Sequence, residues 1–396
     1  MTDTSKASRE DVHAKGKKGR FLFVTFDGGG NITPTLALVR RLVQRGHQAT
    51  LLGSRALAAR VIDTGGSFRA FERSHEPDPS PPGVMGEEKI SEWFAFMCSS
   101  ELTREVLAIA ETADMLVADC MMPGALMAGE LKQIPTVALV HALYRWFVEG
   151  ENGVPSLDGP MSPFVNQARR SLGLETFAPG TQLMMRLFDG ATLALALTLE
   201  EFDYPLSRPH PNLRYVGPAI DTEASTWKPP GHPLVLISFS STYMRQEDAL
   251  RRTFDAMKGI DATAVCTLGH GLTQAQLSAA PNVSLHDWIP HGAILPHAAA
   301  VVTHAGHSTV MAAFAYGVPM VCMPMGRDQN ANADRVATLG AGLAISADAP
   351  SGEIRDAIRE VLTNPSYRER AQRMSKLIEG QGRGERAVTE LENLLS

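Results

Sequence analysis

The feature that most restricts how this chain can fold is a continuous apolar run, followed at once by a loop of glycines or small residues and then by a helical pattern; it occurs twice. The first copy opens with residues 21–26, FLFVTF. β-Branched and aromatic residues without polar alternation suit a strand buried on both faces. Gly28, Gly29 and Gly30 come next, then Thr33 as a helix N-cap, Pro34 at the first helical position, and Leu36, Val39 and Val43 at helical spacing up to Gly46. The second copy opens with residues 234–239, LVLISF, and its loop holds Ser240, Ser241 and Thr242.

Further apolar runs at 49–52, 115–118 and 136–140 follow the first copy, with a helix expected over 123–132; runs at 263–268, 299–303 and 320–323 follow the second. Strands alternating with helices predict parallel sheets covered on both faces, an α/β class. With 396 residues the chain exceeds the usual size of one domain, so each copy is expected to found its own. The expected division is a polar, disordered tail over 1–20, an N-terminal domain over 21–216, a Pro- and Gly-rich linker over 217–233, a C-terminal domain over 234–375, and a C-terminal helix over 376–396 that packs back on the first domain. Ligands of such domains bind at the carboxyl ends of the strands, here in the cleft between the halves.

Lys and Arg number 37 against 43 Asp and Glu, and no basic stripe with interleaved aromatics occurs, which argues against nucleic acid as a partner. Cys98, Cys120, Cys266 and Cys322 are too scattered for a disulfide framework or a CxxC pair and read as free thiols in a reducing compartment. Residues 1–20 lack the apolar core of a signal peptide, and no run is long enough to cross a bilayer, so a cytoplasmic location is expected.

Residues 287–329 carry the densest functional signal. After the run 299–303, His304, Ala305, Gly306 and His307 form a tight loop, and Ser308 and Thr309 open a helix reaching Gly317. Free N–H groups and the positive end of a helix dipole then stand beside a histidine, an anion site suited to a diphosphate. A helix start with a good cap can be no more than that, but its neighbours extend the pattern. Trp288, with Ile289, precedes it and offers an indole for stacking on a nucleobase. Asp328 and Gln329 follow it, a carboxylate and an amide of the kind that read sugar hydroxyls. His286, His291, His297, His304 and His307 are irregularly spaced, without a nearby cysteine, so no zinc site is expected.

DWIPHGAIL and THAGHSTVMAAFAYGVPMVCMPMGRDQ resemble the nucleotide-sugar signature of family 1 glycosyltransferases of the GT-B fold, in particular bacterial natural-product enzymes of the antibiotic and macrolide type. PTLALVRRLVQRGHQATLL and ADMLVADCMMPGALMAGELKQIPTVAL resemble their N-terminal half, so the likeness runs over nearly all of 21–390. The resemblance implies two Rossmann-like, doubly wound domains facing across a cleft. It also implies an inverting transfer of a sugar from a dTDP- or UDP-sugar co-substrate to a small hydrophobic aglycone, without cofactor or metal, by a monomer or homodimer. Trp288 and Ile289 would then meet the base, and Asp328 and Gln329 the sugar. His304, Gly306, Ser308 and Thr309 would meet the diphosphate, with His307, Ser241 and Thr242 close by.

Two positions depart from that pattern. Where many UDP-sugar users carry a glutamate for the ribose hydroxyls, this chain has Ala312, which opens the site to a thymidine diphosphate sugar, whose deoxyribose lacks one hydroxyl. Where the family has the histidine that takes the acceptor's proton, this chain has Asn31; the aspartate that orients that histidine is kept as Asp119. An amide is not basic near neutral pH, so Asn31 can position an acceptor but not deprotonate it. Three explanations stay open. Another group is the base, with Asp27 and Asp119 preferred to His141; or the acceptor needs little help; or the protein is a non-catalytic glycosyltransferase-like partner of another enzyme.

Trp93, Phe94, His141 and Trp146 are candidates for the acceptor pocket, together with Met97, Tyr144, Phe147, Met161 and Phe164, although such side chains also build ordinary core. A nicotinamide enzyme is disfavoured. Thr33 stands where GxGxxG needs its third glycine, and Gly53, Ser54 and Arg55 lack the acidic residue that holds the ribose of NAD.

Overall fold

The computed structural model describes residues 17–77, 87–150, 157–221, 227–231, 233–240, 244–269 and 272–395. Its first sheet consists of β1 (Arg20–Val24), β2 (Gln48–Gly53), β3 (Ser67–Ala70), β4 (Met115–Asp119), β5 (Thr136–Val140), β6 (Leu193–Ala196) and β7 (Leu213–Tyr215), in the order β3-β2-β1-β4-β5-β6-β7. β8 (Leu234–Ser238), β9 (Thr263–Thr267), β10 (Val283–His286), β11 (Ala298–Thr303), β12 (Met320–Cys322) and β13 (Gly342–Ala344) form the second, in the order β10-β9-β8-β11-β12-β13. Neighbouring strands run parallel in both. β4, β5 and β8 are buried at every residue, as continuous apolar runs require when helices cover both faces. The doubly wound pair expected from the sequence is therefore present. Strand order reverses between β1 and β4 in one sheet and between β8 and β11 in the other, the points at which doubly wound sheets bind ligands.

The edges of the elements differ from the expected ones in ways that matter for the site. β1 ends at Val24, so Thr25 and Phe26 lie in the loop and not in the strand. The first helix, Ile32–Gln44, starts before Thr33. Its N-cap is Asn31, which makes no side-chain capping bond because its amide is turned towards β4.

The chain ends by returning to its beginning. Ala371, Met374 and Ile378 of the helix Pro365–Gly380 pack in the second domain with Val310 and Phe314. The helix Glu385–Asn393 then crosses to the first domain, where Ala387, Val388 and Leu391 join Leu36, Val39 and Leu42. Arg45 pairs there with Glu385 and Glu392, and His47 Nε2 lies 2.9 Å from Glu392 Oε1. The halves also share core: Leu143, Leu199 and Phe202 cluster with Val310, Met311 and Phe314. Phe202 meets Phe314 edge-on at 5.4 Å, and Tyr204 donates its hydroxyl to Asp334 at 2.8 Å. Among the described residues no helix is long and apolar enough to cross a membrane, and the four cysteines are buried and unpaired.

Candidate active site

In the second domain Thr303, at the end of β11, is in register with Ser238 at the end of β8, so the loop after Thr303 leaves the sheet at its switch point. The helix His307–Ala315 follows with Gly306 as N-cap. Gly306 has an ordinary φ of −61°, and its reason for being glycine is a neighbour: a Cβ there would lie 2.6 Å from His304 Nε2. Ala305 takes the left-handed φ of 64°, a conformation that costs a residue with a side chain and persists where surrounding structure enforces it. Arg327, next to Asp328, does the same at 57°.

His304 and His307 are buried, and neither Nδ1 of the first nor Nε2 of the second has a hydrogen-bond partner among the described residues. Burial, aided by the charge of Arg327, pushes the His304 pKa down to about 4; burial, with His141 adding to it, pushes His307 to about 3. Both rings are thus neutral near pH 7, and where the single ring proton sits on the open nitrogen it can donate to an arriving anion. Ser308 Oγ donates to Gly30 O at 2.5 Å, which joins this helix start to the glycine loop of the first domain. Thr309 is buried on the same turn.

Asp328 accepts from Asn332 Nδ2 at 3.0 Å, and burial raises its pKa. Asn332 also donates to Ala305 O at 3.0 Å and so ties the Asp328 loop to the His304 loop. The sequence reading missed it; its position one helical turn after Asp328 was the available signal. Gln329 corrects an expectation. Its amide is 2% exposed, accepts from Met325 N at 2.8 Å and faces Met244 Sδ at 3.1 Å, so it closes its own turn instead of facing the cleft. Trp288, beyond β10, is 55% exposed, while Ile289 packs on the domain core. Ala312 is buried in the same apolar cluster. Ser241 and Thr242 lie outside the described residues.

The first domain supplies a carboxylate at its own switch point. Asp119 ends β4, is 2% exposed, and has four donors: Thr25 Oγ1 at 2.7 Å and Asn31 Nδ2 at 2.8 Å on Oδ2, with Met121 N at 2.9 Å and His141 Nε2 at 3.0 Å on Oδ1. Burial works against its charge, but the charge and bond of His141 together with the bonds of Asn31 and Met121 hold its pKa below the usual carboxylate value.

This arrangement corrects three expectations. Asn31 commits the donor side of its amide to the fold: Nδ2 lies within 2.9 Å of Thr25 Oγ1 and Phe26 O as well as near Asp119, the residue is 3% exposed, and its buried Oδ1 has no partner among the described residues. Asp27 is exposed and belongs to a different group, with its N–H bonded to Ser54 Oγ at 2.8 Å and its charge felt by Glu76, because the turn that bonds Gly28 N to Phe26 O swings it outward. Asp119 itself is enclosed by its donors and has no open face for an acceptor's proton. The residue placed last among the possible bases, His141, is the one in contact with Asp119.

His141 follows β5, whose Leu139 is paired with Asp119. Cys120 Sγ lies 3.6 Å from the same Nε2. Burial opposes a charged ring, yet Cys120 and Asp119 together hold the His141 pKa well above its ordinary value. The Asp119 carboxylate is the durable part of that effect, since burial raises the Cys120 thiol and keeps it protonated. Trp93 is half-buried and packs on Phe26 at 5.5 Å, beside the Asn31 loop, with Phe94 next to it on the same core. Trp146 packs against both the first-domain core and the shared cluster. Phe164 is half-buried, whereas Met97, Tyr144, Phe147 and Met161 are buried core.

Two doubly wound domains, with a histidine-flanked helix start at one switch point and a buried carboxylate at the other, define the GT-B architecture. Residues 251–394 match the family described as Erythromycin biosynthesis protein CIII-like, C-terminal domain. The 4'-demethylrebeccamycin synthase of Lentzea aerocolonigenes is 26% identical over 90% of this chain and 94% of its own length. The demethyllactenocin mycarosyltransferase of Streptomyces fradiae is 27% identical over 99% and 93%. Among solved structures, the calicheamicin glycosyltransferase CalG4 superposes with a TM-score of 0.75 at 24% identity, covering 96% of this chain and 98% of that one. The glycosyltransferase VinC, solved in complex with dTDP, gives 0.68 at 22% identity, covering 94% and 100%. The family model, the curated relatives and the solved structures all point to the bacterial natural-product glycosyltransferases of family 1 with the GT-B fold.

Proposed function

We propose that the protein moves a sugar from a nucleoside diphosphate to a small hydrophobic natural-product aglycone, with inversion at the anomeric carbon. The start of the helix His307–Ala315 carries this reading: its N-terminal N–H groups, the unpartnered His304 Nδ1 and Ser308 lie together at the face that meets Gly30 of the other domain. A diphosphate there gains the helix N–H groups and dipole and gives His304 its missing partner. These groups also stabilise the charge that develops on the departing diphosphate, a task they perform without a metal. The exposed indole of Trp288 supports stacking on the base, and Asp328 supports a bond to the sugar. Ala312 has nothing to grip a second ribose hydroxyl, which favours a dTDP-sugar over a UDP-sugar, and VinC was solved with dTDP.

An acceptor beside Trp93, Phe94 and Trp146 attacks from the first domain, opposite the leaving group, and so inverts the centre. The test is incubation of the purified protein with a panel of α-linked dTDP-sugars and phenolic acceptors. The expected product is the β-glycoside with release of dTDP. An α-glycoside contradicts inversion, and donor left intact with every acceptor favours a non-catalytic partner.

A further inference from the structure

We infer that His141, oriented by Asp119, is the base that removes the acceptor's proton, and that Asn31 holds the carboxylate in place for it. This rests on the glycosyl-transfer reading above and deepens it. A carboxylate can only accept, so the 3.0 Å contact between Asp119 Oδ1 and His141 Nε2 puts the ring proton on Nε2 and leaves the lone pair on Nδ1. No hydrogen bond among the described residues engages Nδ1, and the side chain keeps 15% of its surface exposed, whereas Asp119 keeps 1%. A His–Asp pair kept only for packing has no need of an open nitrogen; a base does.

Asn31 fits the same scheme. With Thr25 it holds Oδ2, while Met121 N and His141 share Oδ1, so the carboxylate is fixed on the side away from the ring. The charged and titratable groups that face His141 are Asp119 at the end of β4 and Cys120 after it, His307 at the start of its helix, and Asp328 across the cleft. The last two belong to the second domain, so the ring stands on the wall opposite the donor. One ligand atom each of Asp119, Cys120 and His141 lie within 4.8 Å of one another, but four donors already fill the Asp119 oxygens and burial raises the Cys120 thiol pKa, which disfavours a metal between them.

In the step itself, the acceptor's O–H or N–H proton passes to Nδ1 as that oxygen or nitrogen bonds to the anomeric carbon. The bond from the anomeric carbon to the diphosphate oxygen breaks, and its electron pair leaves with the nucleoside diphosphate. Asp119 stays ionised and supports the imidazolium, which afterwards loses its proton to water.

The experiment compares wild type, His141→Ala, His141→Gln and Asp119→Asn on an ordinary phenol and on a nitrophenol that is already ionised at the assay pH, with dTDP binding measured alongside. Transfer to the phenol is expected to fall roughly a hundredfold or more in both His141 variants, transfer to the nitrophenol far less, and dTDP affinity not at all. The base works only when deprotonated and Asp119 raises its pKa, so wild-type kcat/KM should lose its acid side above pH 6.5, the ordinary histidine value. Asp119→Asn removes that support and should move the acid limb to lower pH while lowering the plateau. Equal losses on both phenols, phenol transfer unaffected by His141→Ala, or activity lost to a chelator and restored by zinc would each overturn the assignment while leaving the donor reading in place. Absence of dTDP binding to the wild type removes the donor reading itself.

Discussion

At the scale of single residues the donor loop depends on close contact. The absent side chain of Gly306 is what lets the His304 ring lie against the loop, since a methyl group would sit 2.6 Å from Nε2. Gly306→Ala must therefore displace the ring, and His304→Ala removes it. Both are expected to weaken dTDP binding about tenfold or more, the size of a lost hydrogen bond to a charged group, with melting temperatures near wild type. Calorimetry and a thermal melt check this; unchanged affinity in either variant contradicts the role given to His304. The residue types of this loop were legible in the sequence because their order and spacing fix where the backbone turns. The targets of individual side chains were not. Asn31 and Gln329, expected to face the acceptor and the sugar, bond instead to Asp119 and Met325, and Asp27, expected as a base, is exposed with its backbone N–H on Ser54. His141 was undervalued for the converse reason, since only strand pairing reveals that residues after β4 and β5 meet.

At the scale of elements, the helix Glu385–Asn393 clamps the first domain from the far end of the chain. Leu391 is fully buried, so Leu391→Ala is expected to cost about 2–5 kcal/mol, read as a lower melting temperature. The same helix carries a pH dependence. Burial opposes the charge of Glu392, but the bond from His47 and the charge and bond of Arg45 keep its pKa below the usual carboxylate value. A lowered folded pKa contributes stability that is complete above the unfolded value of about 4.3 and is lost as pH falls through the folded one. Melting temperature should thus drop on acidification below about pH 4, and Glu392→Gln should flatten that drop; an unchanged slope would show that the pair contributes nothing. The strands could be read because runs buried on both faces need no alternation. Helix starts were misplaced by one or two residues, as at Asn31 and His307, because the capping position here is held by a side chain engaged elsewhere or by a glycine.

At the scale of the whole molecule, two sheets with opposed switch points put a helix start and a His–Asp pair on facing walls, and a shared core around Phe202 and Phe314 holds the walls together. The repeated strand, loop and helix opening made this architecture readable from the sequence; the shared core was not, because it joins residues whose contact follows only from the folded arrangement of both halves. The reading of the cleft as a nucleotide-sugar site is tested most directly by calorimetric titration of the full chain with dTDP and with UDP. Saturable binding, at least as tight for dTDP as for UDP and weakened by His304→Ala, is the predicted result. Failure of both nucleotides to bind, or binding indifferent to His304, would contradict it.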